Sequence, residues 1–228
     1  RNEFTGAFTG KDISFGGSHL RPEATGYGLV YFVQNMLERI DETISDKIVV
    51  ISGSGNVAQY TCEKALLLGA KVVTMSDSTG YIFDPDGFTL QKLEFIKVLK
   101  NQTRGRIDEY TKVFENSSFH PNKKPWKVAC DIALPCATQN ELLLDDAVDL
   151  ISNKVTLVAE GANMPSSNDA VKQFQSSGVL FAPGKATNSG GVAVSGLEMQ
   201  QNSLFDSYTR DEVDLKLQHI MMNVHQIC

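Results

Sequence analysis

The sequence predicts an α/β fold: a doubly wound, mostly parallel sheet with helices on both faces. Three observations carry the prediction. Short β-branched runs alternate with segments of helical apolar period. The runs span four to seven residues, as strands buried on both faces do. Glycine, asparagine and proline cluster after several runs, where such a sheet presents its loops.

The elements follow in order. Leu29, Val30, Phe32, Val33, Met36, Leu37 and Ile40 recur at helical spacing after Gly28, with Pro22 and Thr25 near the start. KIVVI (47–51) is a buried strand. A glycine turn leads into an Ala/Leu-rich helix over 57–68, and Gly69 is placed to stop it. KVVTM (71–75) is the second strand. YIFDPDGF (81–88) has turn chemistry in its Asp-Pro-Asp-Gly core, and two polar helices are expected up to Glu115. VACDIAL (128–134), TLVA (156–159) and VLFA (179–182) are further strands, with helices around 141–151 and 168–175 between them. Thr209-Arg210-Asp211-Glu212 makes a capping box. The helix it opens carries Val213, Leu217, Ile220, Met221 and Val224 on one side.

Composition narrows the function classes. The 228 residues are 42% hydrophobic and 21% charged, which excludes disorder and collagen-like repeats. The net charge of −6 argues against a nucleic-acid partner. No run approaches the roughly 18 apolar residues of a membrane helix, so no membrane partner is expected. Cys62, Cys130, Cys136 and Cys228 show no CxxC spacing and no His-rich companion, so no metal site is expected and a reducing, cytoplasmic compartment is.

The sharpest motif is Gly53-Ser54-Gly55-Asn56-Val57-Ala58, a GxGxxA turn directly between a strand and a helix. Gly53 permits the tight turn, Gly55 lets a pyrophosphate approach the backbone, and Ala58 lets helix and strand pack closely. Free amides and the dipole at the helix start favour the anion. This is the signature of a Rossmann-like fold. A glycine-rich turn with no ligand is the competing explanation. Asp77 closes the second strand at the distance of a ribose-contacting acid, which favours NAD. Ser76, Ser78 and Thr79 also supply hydroxyls for a 2′-phosphate, and Lys100, Arg104 and Arg106 follow as cations, or as an ordinary solvated face. Three Gly/Asn-rich clusters, at 135–140, 160–165 and 183–191, fall at strand carboxyl ends. Their amides suit a nicotinamide carboxamide and ribose hydroxyls.

Together these stretches resemble the cofactor-binding domain of the hexameric glutamate dehydrogenases. The matching segments are FTGKDISFGGSHLRPEATGYGLVYF (8–32), SGSGNVAQY (52–60), SDSTG (76–80), ALPCATQNEL (133–142), VAEGANMP (158–165) and FAPGKATNSGGVAVSGLEMQQN (181–202). The small-subunit, NADP-linked type is most similar, through SDS and Lys100. The resemblance implies reversible oxidative deamination of L-glutamate to 2-oxoglutarate and ammonia, with NADP as cofactor and NAD as the alternative. It implies Thr25 at the nicotinamide carboxamide and Asn56 at the pyrophosphate. Ala137, Asn163 and Asn188 would border the nicotinamide ribose. Ser195 would meet the substrate's side-chain carboxylate, and Val192 its methylenes. Gly53, Ser54, Gly55, Val57, Ser76, Asp77 and Lys100 complete the expected cofactor site.

The family's catalytic lysine and carboxylate lie on a separate N-terminal substrate domain. No matching segment occurs here, so no catalytic residue is assigned to this chain. Lys185 matches a backbone-shaping stretch. The chain is expected to be the nucleotide-binding half of a longer enzyme, binding cofactor with little or no turnover. The expected organisation is a lead-in segment and interdomain helix over 1–45, a dinucleotide-binding unit over 46–208 and a shortened C-terminal helix over 209–228. A homohexamer is implied for the full-length enzyme and a monomer for this piece. Three rival readings stay open: an S-adenosylmethionine-dependent methyltransferase, a non-enzymatic nucleotide-sensing module, and an NAD-linked amino-acid dehydrogenase.

Overall fold

The computed structural model describes residues 6–228. In chain order the elements are α1 (Ala24–Glu38), β1 (Ile48–Ile51), α2 (Asn56–Leu67), β2 (Lys71–Asp77), β3 (Gly80–Phe83), α3 (Leu90–Asn101), β4 (Ser118–Pro121), β5 (Ile132–Leu134), α4 (Leu144–Ser152), β6 (Leu157–Ala159), α5 (Asn168–Ser176), β7 (Leu180–Ala182), α6 (Gly184–Thr187), α7 (Gly190–Leu204) and α8 (Arg210–Ile227). Short 3₁₀ turns cover Ile13–Phe15, Ile107–Lys112 and Pro125–Lys127.

The strands form one sheet in the order β4-β3-β2-β1-β5-β6-β7. Strands β2, β1, β5, β6 and β7 run parallel, while β3 and β4 pair antiparallel at one edge. The chain moves outward from β1 to β2, then returns to add β5 on the other flank of β1. The strand order therefore reverses between β1 and β5, and their carboxyl ends open a crevice there.

The period-2 alternation of each strand assigns the two faces. Val49, Ile51, Val72, Ile132, Leu134, Leu157 and Ala159 pack with α1, α2, α7 and α8. Val50, Val73, Ala133 and Val158 point the other way, onto Trp126, Ala147, Leu150, Ala170 and Phe174. That sidedness is why these strands read as continuous apolar runs rather than as alternating ones. The α1–α7 crossing is close. A Cβ on Gly190 would lie 2.2 Å from the Ala24 carbonyl oxygen, and one on Gly28 would lie 2.9 Å from the Gly190 Cα.

Most expected elements appear within a residue or two of their predicted bounds, and the differences have physical reasons. Residues 80–83, to which the sequence assigned no element, form a strand that leads into the expected Asp-Pro-Asp-Gly turn. The turn begins at Asp84, whose carbonyl accepts from the Gly87 amide at 3.0 Å. Strand β4 went unread because SFHP is polar, being an exposed edge. The run 128–134 shortens to β5, since Val128 is taken up by the turn that follows Pro125. The second polar helix is a 3₁₀ turn.

Candidate functional site

The crevice begins at the turn after β1. Gly53 has φ +85°, and a Cβ there would sit 3.0 Å from the Cys136 carbonyl of the β5 loop. Both its conformation and its neighbour therefore demand glycine. Its amide donates to the Ser76 hydroxyl at 2.7 Å, tying the turn to the end of β2. The Ser52 hydroxyl accepts from the Cys136 amide at 2.9 Å and ties it to β5.

Gly55 is different. Its φ of −82° suits any residue, and a Cβ placed on it meets nothing within 4 Å. Neither strain nor packing asks for glycine there. Gly55 caps α2 without a side-chain bond, so the first-turn amides of that helix face the open space unpartnered. This is a cradle a side chain would fill, at the positive end of a helix. The residues fit a dinucleotide's diphosphate on that ground.

Two cavities adjoin this corner. One, of about 680 Å³, runs from the glycine turn past Ser76, Asp77 and Ser78 to Lys123 and Lys124. The other, of about 700 Å³, runs from Val57 past Thr25 to Val192 and Ser195 on α7. They share Val57, Cys136, Ala137 and Thr138, so together they form one trough along the strand ends.

At the first end, Asp77 has no free acceptor. Its Oδ1 accepts from the Thr79 amide at 2.8 Å and hydroxyl at 2.6 Å. Its Oδ2 accepts from Lys100 Nζ at 2.9 Å and the Ile107 amide at 3.0 Å. Burial works to raise its pKa, but these hydrogen bonds outweigh it and hold the carboxyl at about 2. Lys100 does not line either cavity: it is held by Asp77 and by the Gly105 carbonyl at 2.9 Å. Arg106 donates to the Ser78 hydroxyl at 2.9 Å.

At the second end, Asn188 Nδ2 donates to Asn163 Oδ1 at 2.8 Å, so two of the expected residues meet across the β6 and β7 loops. The Ala137 amide is taken by Glu141 Oε1 at 2.9 Å. Burial pushes the Glu141 carboxyl up. Ser195 is buried and its hydroxyl donates to the Gly191 carbonyl at 3.1 Å, while Val192 is 72% exposed on the rim. Asn56 Nδ2 donates to the Pro22 carbonyl at 2.7 Å. That bond uses one of the two amide N–H groups and leaves the other N–H, a donor, and the oxygen, an acceptor, at the cavity that the glycine turn lines.

The trough also contains residues that sequence reasoning missed. Among the described residues Arg21 is the only charged one lining the α7 cavity, and its Nε is buried without a partner there. It sits inside the RPEATGYG stretch, but nothing in the local pattern marks it. Lys123 and Lys124 follow β4, an unread strand, so no sequence signal placed them near Ser76. Among the described residues no group of three or more His, Cys, Asp or Glu is arranged to hold a metal ion, and no helix is long and apolar enough to cross a membrane.

The glutamate/leucine/phenylalanine/valine dehydrogenase family model matches residues 16–228. The chain is 56% identical over 227 residues to a glutamate dehydrogenase of Bacteroides thetaiotaomicron, covering all of this chain and 51% of that one. It is equally similar to an NADP-specific glutamate dehydrogenase of Haemophilus influenzae, 50% of which it covers. Among solved structures, a Plasmodium falciparum glutamate dehydrogenase superposes with a TM-score of 0.95 at 51% identity, over 98% of this chain and 48% of that one. The chain thus spans about half the length of the curated relatives it matches.

Proposed function

Since this chain belongs to the glutamate/leucine/phenylalanine/valine dehydrogenase family, we propose that it is the NADP-binding part of a glutamate dehydrogenase. The whole protein would interconvert L-glutamate with 2-oxoglutarate and ammonia. The observation that carries the cofactor half of this reading is the uncapped start of α2 behind Gly55, with empty space where a side chain would stand. Bound there, the cofactor supplies a hydride acceptor.

The chain's own residues bind and orient. The α2 amides and Gly55 receive the diphosphate, with Gly53, Ser54 and Val57 shaping the turn. Ser76 and Ser78 offer hydroxyls beside an Asp77 that is already saturated. A saturated acid has no acceptor left for a ribose 2′-hydroxyl, which speaks for NADP over NAD. Relatives named as NADP-specific support the same choice. Lys100 acts through Asp77 rather than on the phosphate. Thr25 borders the nicotinamide carboxamide, Asn56 the diphosphate beside the glycine turn, and Ala137, Asn163 and Asn188 the nicotinamide ribose. Arg21, the only charge in the α7 cavity among the described residues, favours an anion there, next to Ser195 and Val192. A dicarboxylate such as glutamate matches that chemistry.

Among the described residues no lysine or carboxylate lines the α7 cavity, whereas the deamination needs groups that move protons. The chain by itself therefore binds cofactor and turns over little or nothing. It is monomeric, while the whole protein forms a homohexamer. Calorimetric titration with NADPH and NADH tests the reading: tight binding of NADPH and weaker binding of NADH is expected, with no glutamate oxidation. Absence of binding by either coenzyme would refute it. Gly55→Val should abolish binding with little change in melting temperature, since its side chain enters only the cradle.

A further inference from the structure

Among the described residues four cations stand at or beside the Ser76–Ser78 end of the trough, two of them held in ion pairs and a third hydrogen-bonded to a neutral hydroxyl. Lys100 is bound to Asp77 at 2.9 Å. Lys124 is bound to Asp146 at 2.9 Å. Arg106 donates to the Ser78 hydroxyl. Lys123 lines the cavity, is exposed, and forms no ion pair or hydrogen bond with the described residues.

Its place is fixed by backbone, not by chance. Strand β4 pairs antiparallel with β3, opposing Gly80 to Pro121. The next amide, that of Asn122, donates to the Thr79 carbonyl at 2.8 Å, and Asn122 turns the chain at φ +54°. The residue after that turn is Lys123. The same Thr79 holds Asp77 by amide and hydroxyl. One turn thus orders both the neutralised acid and the uncommitted ammonium.

Resting on the NADP reading above, we infer that Lys123 is a specificity-determining residue that contacts the cofactor's 2′-phosphate. A flexible ammonium on the rim pairs with a phosphate once one arrives, and has nothing to gain from a bare ribose hydroxyl. Glu141, the cavity's other acid, accepts from the Ala137 and Thr138 amides through Oε1 and forms no ion pair with Lys123.

The test is a set of calorimetric titrations of the 228-residue chain and its Lys123→Ala and Lys123→Glu variants. The probes are NADPH, NADH, 2′,5′-ADP and 5′-ADP, each at two salt concentrations. Lys123→Ala should weaken NADPH and 2′,5′-ADP about tenfold. NADH and 5′-ADP should be nearly unchanged, the salt dependence of NADPH binding should shrink, and Lys123→Glu should weaken NADPH further. A parent chain that prefers NADPH, with a ratio untouched in Lys123→Ala, overturns the role of Lys123 alone. A parent chain that binds NADPH and NADH equally overturns the NADP reading and this inference with it.

Discussion

Asp77 closes β2 with a charge that by itself repels a phosphate. The structure cancels it locally: four donors occupy its two oxygens, Lys100 among them. Removing Lys100 should therefore expose the negative charge beside the position proposed for the 2′-phosphate. We expect Lys100→Ala to weaken NADPH binding about tenfold and Asp77→Asn in the same chain to restore most of it, measured as a double-mutant cycle. A direct Lys100–phosphate contact would instead leave the double variant as weak as the single one. This is also where sequence reading reached its limit at single residues. Asp77 and Lys100 were both visible 23 positions apart, but their ion pair depends on α3 packing against α2 so that its last turn reaches the end of β2. Gly55 was legible because its spacing to Gly53 is local. Lys123 and Arg21 were not, because topology alone brings them to the trough.

Among elements, those with strong local chemistry were readable. β1, α2 and β2 follow from a β-branched run, a glycine turn and a stop at Gly69, whose φ is +85°. α8 follows from its capping box: the Thr209 hydroxyl accepts from the Glu212 amide at 3.3 Å, and Glu212 Oε2 accepts from the Thr209 amide at 2.7 Å. β4 was hidden because it is a polar edge strand, and β3, an inner strand, because its short apolar run leads directly into the Asp-Pro-Asp-Gly turn. α7 hid behind its glycines, which serve the crossing with α1 rather than helix propensity. That crossing yields a prediction. Gly190→Ala puts a methyl group 2.2 Å from the Ala24 carbonyl and 3.1 Å from the Gly28 Cα, where only backbone can give way. Overpacking of this kind costs about 1–3 kcal/mol. Urea unfolding should show a lower midpoint with an unchanged slope. Because Thr25 and Ser195 ride on the two helices, ligand affinity at the α7 cavity should fall too. An unchanged midpoint would mean that the crossing is looser than it looks.

Across the whole molecule, long-range polar contacts hold the first described residues to the last helices, and these set the response to pH. Glu198 on α7, with no exposed surface, accepts from the Gly10 amide at 2.8 Å and Lys11 Nζ at 2.7 Å, 188 and 187 positions away. Burial works to raise its pKa, yet these donors keep it lowered. Asp77 is likewise depressed, to about 2. A carboxyl lowered on folding stabilises the native state above its unfolded pKa, and that stability is lost as pH falls through the folded value. His225 acts in the same direction higher up. Burial first, and then the nearby Arg39 charge, lower its pKa where it stacks edge-on against Phe32. Protonation there favours the unfolded chain, so stability declines as pH drops through the unfolded value near 6.5. Unfolding midpoints taken down the pH scale should therefore fall in two stages. A shallow loss that sets in as pH falls through about 6.5 should vanish in His225→Phe, which keeps the ring contact without the proton. A steeper loss from about pH 4 down to about 2 should be blunted in Asp77→Asn, because that variant no longer has a carboxyl to protonate there. A profile flat down to about pH 5.5 would show that the imidazole is not kept neutral by the fold. An acid limb unaltered in Asp77→Asn would assign that stage to Glu198 and the other carboxylates instead.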